Sequence, residues 1–272
     1  MNMNHLWRAA VSHDEIGFVE ALWYFTAPAG FLLGACVGSF LNVVIHRLPQ
    51  GQSVVRPGSH CPECGSPIRV YDNIPLVSWL VLFGLCRDCG AVISSRYFFM
   101  ELVTAILTMA IAVKCGPTLQ SAVYLGLVWG LLAATLIDIN YQIIPDEISI
   151  GILIMGLAVS PFLPIGFTGA VFGALLGGGV FFALAIAYPG GMGGGDIKLM
   201  AAIGSIVGWK MAFLTIMLGS TLGAVVGLAM IAITGKSRKT RIPFGPFLAI
   251  GAIISILWGN DIAMAYLPAI AA

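Results

Sequence analysis

Charged side chains are scarce in this chain of 272 residues, of which 9% are charged and 59% are hydrophobic. That charged share is about a third of the value usual for soluble globular proteins. A soluble fold cannot hide so much apolar surface, so the composition predicts an integral membrane protein. The formal net charge is +1, which leaves no basic surplus for binding phosphate backbones. We therefore expect no nucleic-acid partner.

Long apolar runs predict about eight transmembrane helices, because each crossing needs about 20 mostly apolar residues. The predicted fold class is an all-α integral membrane protein with a small cytoplasmic zinc-binding insert after the first helix. Acidic residues precede the first run and no basic segment leads into it, so the N-terminal segment is predicted to be a retained anchor rather than a secretory signal. The predicted spans are Pro28–His46, Tyr97–Lys114, Leu119–Ile139, Ile148–Leu163, Phe167–Tyr188, Ile197–Val207, Met211–Thr234 and Phe244–Leu267.

The basic residues predict the orientation, because cytoplasmic loops are enriched in Lys and Arg. With the N-terminus outside and the eight spans alternating, only Arg8, Lys114 and Lys210 fall outside. The residues that fall inside are Arg47, Arg56, Arg69, Arg87, Arg96, Lys198, Lys236, Arg238, Lys239 and Arg241. The short sixth span is supported by this agreement, since without it the last basic cluster would lie outside.

Four acids fall at the predicted cytoplasmic ends of spans, where a carboxylate near lipid is a functional candidate. Asp146 and Glu147 follow Pro145 and open a helix, where the helix dipole favours an anion, so a structural role is the favoured interpretation for both. Asp138 ends a helix, where the dipole disfavours an anion. Asp196 follows the glycine-rich stretch YPGGMGGGD, and a helix N-cap is its alternative interpretation.

Asp138 and Asp196 lie on different helices at one predicted membrane depth, which suggests a carboxylate pair. Two carboxyl groups in reach of each other cannot both ionise comfortably, so one holds a proton. The charged one can take a proton from water while the neutral one protonates a leaving amine, as in peptide hydrolysis by an aspartic protease. The glycines before Asp196 would let the backbone open and approach an extended substrate.

The cysteines are concentrated in the polar segment between the first two spans. CPEC (Cys61 to Cys64) and CRDC (Cys86 to Cys89) are separated by 21 residues, a spacing typical of zinc sites. In a reducing cytoplasm, metal bonds are favoured over disulfides, which are the alternative. Four thiolates would close the coordination sphere, so the predicted zinc ion is structural. The other two cysteines, Cys36 and Cys115, are expected to be small core residues.

Two apolar stretches near the cysteines have predicted structural roles. Residues 74–85, IPLVSWLVLFGL, are too short to span a membrane and are expected to form a packed or membrane-resting helix. In the first span, Gly38, Ser39, Asn42 and His46 form a small polar stripe. Such a stripe is most often a helix-packing face with hydrogen bonds.

Five separated motifs resemble those of type IV prepilin peptidases, in the same order and over nearly the whole chain. They are GSFLNVVIHRLP, the paired Cys-x-x-Cys, RYFFMELVTA, DINYQIIPDEIS and GGMGGGDIKLM. The first twenty residues are outside the resemblance. It implies a GxGD-type aspartic endopeptidase of the bacterial inner membrane, also called a leader peptidase/N-methyltransferase. Carried over by motif, the catalytic residues are Asp138 and Asp196.

The resemblance also implies substrates and a second activity. The family removes the leader from type IV prepilins or type II secretion pseudopilins after a glycine, then methylates the new N-terminus. S-adenosylmethionine would be the methyl donor and the cysteine module the site of transfer, with Gly84 as a candidate cofactor-binding residue. The sequence adds no independent support for a methyl-donor site, since no glycine-rich nucleotide-binding loop follows a predicted strand. The implied domains are 1–46, 47–96 and 97–272.

Three alternatives remain at this point: a peptidase without methyltransferase activity, a secondary transporter and a zinc-bearing scaffold. A transporter should show repeated halves with broken helices at the midplane, and neither is evident in the sequence. A scaffold would explain the cysteines but not Asp138 and Asp196. No pattern in the chain specifies an oligomeric state.

Overall fold

The computed structural model of the protein describes residues 13–189, 192–234 and 243–266. Within these ranges the chain is helical and forms no β-strand, which confirms the predicted all-α fold. Several predictions concern residues outside these ranges, namely the first twelve residues of the anchor with Arg8, the glycines Gly190 and Gly191, and the basic residues Lys236, Arg238, Lys239 and Arg241.

Eight α-helices, labelled α1 to α8, form the described fold. They are α1 His13–Arg47, α2 Val77–Val81, α3 Ser95–Cys115, α4 Leu119–Tyr141, α5 Asp146–Val159, α6 Gly166–Ala187, α7 Gly194–Thr234 and α8 Gly245–Tyr266. Three short 3-10 segments accompany them: Leu48–Gln50, Val70–Asn73 and Ser160–Phe162.

Six of these helices, α1, α3, α4, α6, α7 and α8, are long and apolar enough to cross a membrane. The 41 residues of α7 would extend about 60 Å, twice the hydrocarbon thickness. The helix is broken at Gly208, whose φ of 79° and ψ of 171° belong to a region that is essentially restricted to glycine. Trp209 and Lys210, residue types that favour the membrane interface, follow the break. We therefore describe α7 as two crossings, residues 194–207 and 209–234.

The fourth predicted span corresponds to α5 and the 3-10 segment Ser160–Phe162, which together are about 27 Å long. With α7 divided, the described helices match the eight predicted spans. The first span begins four residues earlier than predicted, since its apolar segment runs from Tyr24 to Gln50. Helix α1 itself begins at His13 and contains Pro28 in its interior. Proline is tolerated inside membrane helices because neighbouring groups satisfy the backbone carbonyl that it leaves free.

Hydrogen bonds join several helix ends at one edge of the bundle, which we call the Asp138 edge. The backbone N–H of Gly245, at the start of α8, donates to Asp138 near the end of α4. At the start of α3, Arg96 donates to Asn140 of α4 across 3.4 Å. Asn42 of α1 bonds to Tyr97 of α3, and Lys198 of α7 pairs with Asp146 of α5, which follows α4 closely in the chain. The ends of α1 and α4 and the starts of α3, α5, α7 and α8 therefore lie at this edge, together with the cysteine module between α1 and α3.

Around the centre of the bundle, α4 packs against α7 and α8. Leu131 of α4, Leu199 and Ile203 of α7, and Leu248 of α8 are fully buried in one apolar cluster. Because lipid tails are as apolar as these side chains, close van der Waals packing rather than escape from water holds such helices together. This packing fixes α4, α7 and α8 against one another next to the Asp138 edge.

The small polar stripe of α1 packs against α3, as predicted. A Cβ on Gly38 would lie 2.7 Å from the Cα of Glu101, and Asn42 donates to the carbonyl of Tyr97 across 3.2 Å. His46 is exposed and does not take part in this face. The prediction for Cys36 was wrong, because that residue is exposed on the outer face of α1, whereas Cys115 is half-buried. A small residue in a membrane helix fits a lipid-facing position as well as a core position.

Candidate active site

Asp138 lies in the last turn of α4 and is 6% exposed. Its Oδ2 accepts a hydrogen bond of 2.9 Å from the backbone N–H of Gly245. Gly245 is the first residue of α8, so the carboxylate faces the positive end of that helix dipole. Local sequence offers no structural reason for an acid at the end of α4, and the reason lies instead in this contact with a distant helix.

Asp196 lies in the first turn of α7. A Cβ on the neighbouring Gly193 would lie 3.0 Å from its Oδ2, and its carboxyl group is close enough to Asp138 to interact with it electrostatically. The N-cap alternative does not apply in its strict form, since Asp196 is inside the helix rather than before it. The position still favours a negative charge, because the first turn is the positive end of the dipole. Both acids therefore combine a helix N-terminus with partial burial.

The segment between α4 and α5 packs between the glycines of α7 and α8. A Cβ on Gly195 would lie 2.9 Å from the Cβ of Ile144, and a Cβ on Gly245 would lie 2.8 Å from Oδ2 of Asp138 and 3.4 Å from Cδ1 of Ile144. Any side chain at residue 245 would therefore displace the carboxyl group. Gly245 and Ile144 were missed by the sequence reasoning. The available signal was the glycine of PFGPF, placed at the start of the last span.

Asp146 and Glu147 occupy the first turn of α5, as predicted. Both are exposed, and Asp146 makes no N-cap hydrogen bond, since the cap position is Pro145. The carboxylate of Asp146 instead binds Nζ of Lys198 of α7 at 2.7 and 2.8 Å. This ion pair joins α5 to α7 two residues after Asp196. The sequence pointed to the structural role of Asp146 but not to its partner.

The four predicted metal ligands come together. The Sγ atoms of Cys61, Cys64, Cys86 and Cys89 all lie within 4.8 Å of one another, and those of Cys61 and Cys89 are 3.9 Å apart. Sulfurs around a tetrahedral zinc ion, with bonds of about 2.3 Å, are about 3.8 Å apart. All six cysteines of the chain are free thiols. The donor set therefore fits a closed four-sulfur site.

The two cysteine pairs sit in matching turns. The N–H of Cys61 donates to the carbonyl of Ser66 and its carbonyl accepts from Gly65, and the same two bonds recur between Cys86 and residues 91 and 90. Hydrogen bonds with Ser66 lower the pKa of the Cys64 thiol to about 6, whereas hydrogen bonds with the neighbouring thiols raise the pKa of Cys89 to about 12. The first thiolate of the cluster therefore forms readily at Cys64, and the thiolate is the form that binds metal.

Gly84, the candidate cofactor-binding residue, has a local structural explanation. It is buried, with a φ of 68°, and a Cβ there would lie 2.9 Å from the ring of Trp79. The indole N–H of Trp79 donates to the carbonyl of Ile93 across 3.2 Å. Packing against Trp79 thus accounts for the glycine without a ligand, and contact with a methyl donor stays a prediction.

A helical membrane protein with two interacting carboxyl groups at one edge has the architecture of a membrane aspartic peptidase. Residues 32–115 match the family model of the bacterial peptidase A24 N-terminal domain, and residues 125–228 match that of the type IV leader peptidase family. The first match covers the end of α1, the cysteine module and α3. The second contains Asp138 and Asp196.

Several curated relatives are similar to this chain over most of its length, and all three described here are named prepilin leader peptidase/N-methyltransferase. The protein of Pseudomonas aeruginosa is 42% identical over 265 residues, which is 87% of this chain and 91% of the relative. The protein of Aeromonas salmonicida is 37% identical, with 88% and 93% covered. The protein of Legionella pneumophila is 33% identical, with 90% and 95% covered. No solved structure matches the chain.

This chain belongs to the type IV leader peptidase family. The membership confirms the resemblance that the five motifs indicated. It also selects a peptidase over the secondary transporter and the zinc-bearing scaffold, since every relative named above is a leader peptidase.

Proposed function

We propose that this protein removes the leader from type IV prepilins or type II secretion pseudopilins and N-methylates the new N-terminus. The observation that carries the proposal is the proximity of Asp138 and Asp196 at one edge of the bundle. Ile144 packs against both Gly195, next to Asp196, and Gly245, the hydrogen-bond donor to Asp138. Family membership supports the substrate class and both activities, because the relatives are named for them. The assignment of Asp138 and Asp196 as the catalytic pair is part of the proposal.

The proposed cleavage is a hydrolysis shared by the two carboxyl groups. Since both cannot ionise comfortably together, the pair holds one proton. The ionised carboxylate takes a proton from a water molecule as the water oxygen bonds to the scissile carbonyl carbon, and the protonated carboxyl then gives its proton to the leaving amine. Gly245 holds Asp138 through its N–H, so the carboxylate keeps a fixed position while the proton moves.

The cysteine module would be the site of the second activity, with the chain divided into residues 1–46, 47–96 and 97–272. Cys61, Cys64, Cys86 and Cys89 would hold a zinc ion, which closes the module without an open position for a catalytic water. S-adenosylmethionine would supply the methyl group that is transferred to the new amine. The supporting observation is that the module and the two acids lie at the same edge of the bundle. The module connects the end of α1 to the start of α3, and both of these helix ends lie at the Asp138 edge.

We place the Asp138 edge in the cytoplasm, in a chain of the bacterial inner membrane whose N-terminus is outside. The support is the charge asymmetry of the described residues. Arg47, Arg56, Arg69, Arg87, Arg96 and Lys198 lie at this edge or in the module, and Lys114 and Lys210 lie at the opposite edge. Cytoplasmic loops carry the excess of basic residues. The leader of a prepilin, before export is complete, is accessible from that side.

The test is mass analysis of the N-terminus of a pilin co-expressed with the full chain. The wild-type protein should yield pilin that lacks its leader and carries one methyl group, whereas Asp196→Asn should leave the leader in place. Asp261→Asn is the matched control, because Asp261 is an exposed acid of α8 at the opposite edge, 4.0 Å from Lys114. Complete processing by Asp196→Asn would refute the catalytic pair. Cleaved but unmethylated pilin from the wild type would support the peptidase activity and refute the methyltransferase activity.

A further inference from the structure

The segment around α2 exposes a continuous set of large apolar side chains. Val77 is 52% exposed, Leu80 54%, Val81 64% and Phe83 86%. Residues 74–85 contain no charged side chain. Charged groups of the module cluster elsewhere: Arg87 binds Asp72 through two donors, with contacts of 2.6 to 3.1 Å. An exposed apolar patch of this kind marks an interaction surface.

The depth of α2 is fixed by a contact with a membrane-spanning helix. The backbone N–H of Leu76, just before α2, donates to Oε2 of Glu101 across 2.7 Å. Glu101 is 8% exposed, and its Cα lies where a Cβ on Gly38 of α1 would approach it to 2.7 Å, so this part of α3 packs closely on α1. It lies six residues after Ser95, the start of α3, which is about 9 Å along the helix axis.

That contact places α2 beside the span rather than above it. Side chains of a helix lean toward its N-terminus, so Oε2 of Glu101 lies near the first two turns of α3. The ring of Trp79 in α2 packs on Phe98 in the same turns, with centroids 5.1 Å apart. Both contacts hold α2 at the level where the transmembrane segment Ser95–Cys115 begins.

We propose that residues 74–85 lie in the interfacial layer of the bilayer and that Val77, Leu80, Val81 and Phe83 contact lipid acyl chains. Interfacial apolar helices sit about 5–10 Å into the boundary between headgroups and acyl chains, which is the depth that Glu101 sets. Lipid is the occupant because ring contacts lead from Trp79 of α2 through Phe98 to Phe99 of α3. Phe99, Val103 and Ile106 of this membrane-spanning helix are themselves 58%, 42% and 45% exposed. The inference rests on the fold and is independent of the proposed chemistry.

This arrangement gives Glu101 a function as a positioning residue. A carboxylate buried between α1 and α3 is costly unless it is hydrogen-bonded, and here it accepts from the loop that leads into α2. It thereby holds the module at a fixed depth relative to the membrane. The cysteine cluster, whose two pairs lie before and after α2 in the chain, is then held near the same edge as Asp138.

The test is photocrosslinking of the full chain in native membranes. Phe83 is replaced by the photoreactive amino acid benzoylphenylalanine, and adducts on the labelled peptide are identified by mass spectrometry. The matched control site is Tyr71, an exposed aromatic whose ring lies 5.9 and 5.6 Å from the guanidinium groups of Arg69 and Arg87. Leu80 is a second test site in case the Phe83 variant does not accumulate.

We expect phospholipid adducts at residues 83 and 80 and a several-fold lower yield at residue 71. Crosslinks from residue 83 to a protein, including co-expressed pilin, would overturn the proposal in favour of a peptide-docking surface. Equal lipid yields at residues 83 and 71, or no lipid adduct at residues 83 and 80, would also overturn it.

A second measurement tests the role of Glu101 in the Phe83-labelled chain. Glu101→Gln keeps an oxygen that accepts from Leu76, so the lipid yield should stay near that of the parent. Glu101→Ala removes the acceptor and should lower the yield several-fold at unchanged zinc content. An unchanged yield in Glu101→Ala would show that this contact does not set the depth.

Discussion

The backbone N–H of Gly245 donates a hydrogen bond to Oδ2 of Asp138 across 107 residues of chain. The donor belongs to the first residue of α8, and the acceptor is the acid at the end of α4. Because a helix N-terminus favours an anion, this contact stabilises the charged carboxylate and fixes its orientation. It also leaves no room for a Cβ, which would lie 2.8 Å from the same oxygen.

Gly245→Ala should therefore impair cleavage by displacing Asp138. A misplacement of about 1 Å costs on the order of 10²-fold in rate, and we expect a loss of that order in leader removal. The matched control is Gly151→Ala in α5, where a Cβ meets nothing within 4 Å. The rates are compared on co-expressed pilin at equal membrane levels. Equal rates for the two variants would show that the Gly245 contact does not position the acid.

The helix pattern and the positions of the two acids at helix ends were predictable from local sequence, because span length and helix ends are local signals. The partner of Asp138 was not predictable in this way. Gly245 is distant along the chain, and only the packing of α4 against α8 brings the two together. The same holds for Lys198, which pairs with Asp146 across 52 residues.

The glycines before Asp196 were interpreted as an opening for water and substrate. In the described part of the stretch, Gly195 has a packing reason, since a Cβ there would meet Ile144 at 2.9 Å. At Gly194 a Cβ would meet nothing within 4 Å, so packing does not require that glycine. Sequence alone cannot distinguish a glycine that is needed for close packing from a glycine that is needed for backbone flexibility, because the residue type is the same in both cases.

The cysteine module should contain about one zinc ion per chain, since four thiolates complete a tetrahedral structural site. Elemental analysis of purified protein measures this directly. Cys61→Ser should lower the zinc content well below that of the wild type, because Cys61 is one of the four clustered thiols. Cys36→Ser is the control, since Cys36 lies on the exposed face of α1. A folded, reduced wild-type module without metal would contradict the prediction.

Gly84→Ala should reduce methyl transfer more than leader cleavage. A non-glycine residue at a left-handed φ costs about 1–2 kcal/mol, and the added Cβ would press on Trp79. The disturbance stays within the module, whereas Asp138 and Asp196 lie outside it. Gly58→Ala is the control, because a Cβ there meets nothing within 4 Å.

Cleavage of prepilin and methylation of pre-cleaved pilin are measured separately for the two module variants. Loss of cleavage with intact methylation in Gly84→Ala would reverse the assignment of the second activity to this module.

Of the two acids of the motif DINYQIIPD, Asp138 should be required for cleavage and Asp146 should not. Asp138→Asn keeps the shape of the side chain but removes the proton-transfer group, which is worth about 10²–10⁴-fold in rate. Asp146→Asn removes the exposed ion pair with Lys198, and such pairs contribute about 0.2–1 kcal/mol to stability. Leader removal at matched membrane levels distinguishes them, with zinc content as the check on folding. Full processing by Asp138→Asn together with none by Asp146→Asn would show that the exposed acid, and not the one held by Gly245, acts on the substrate.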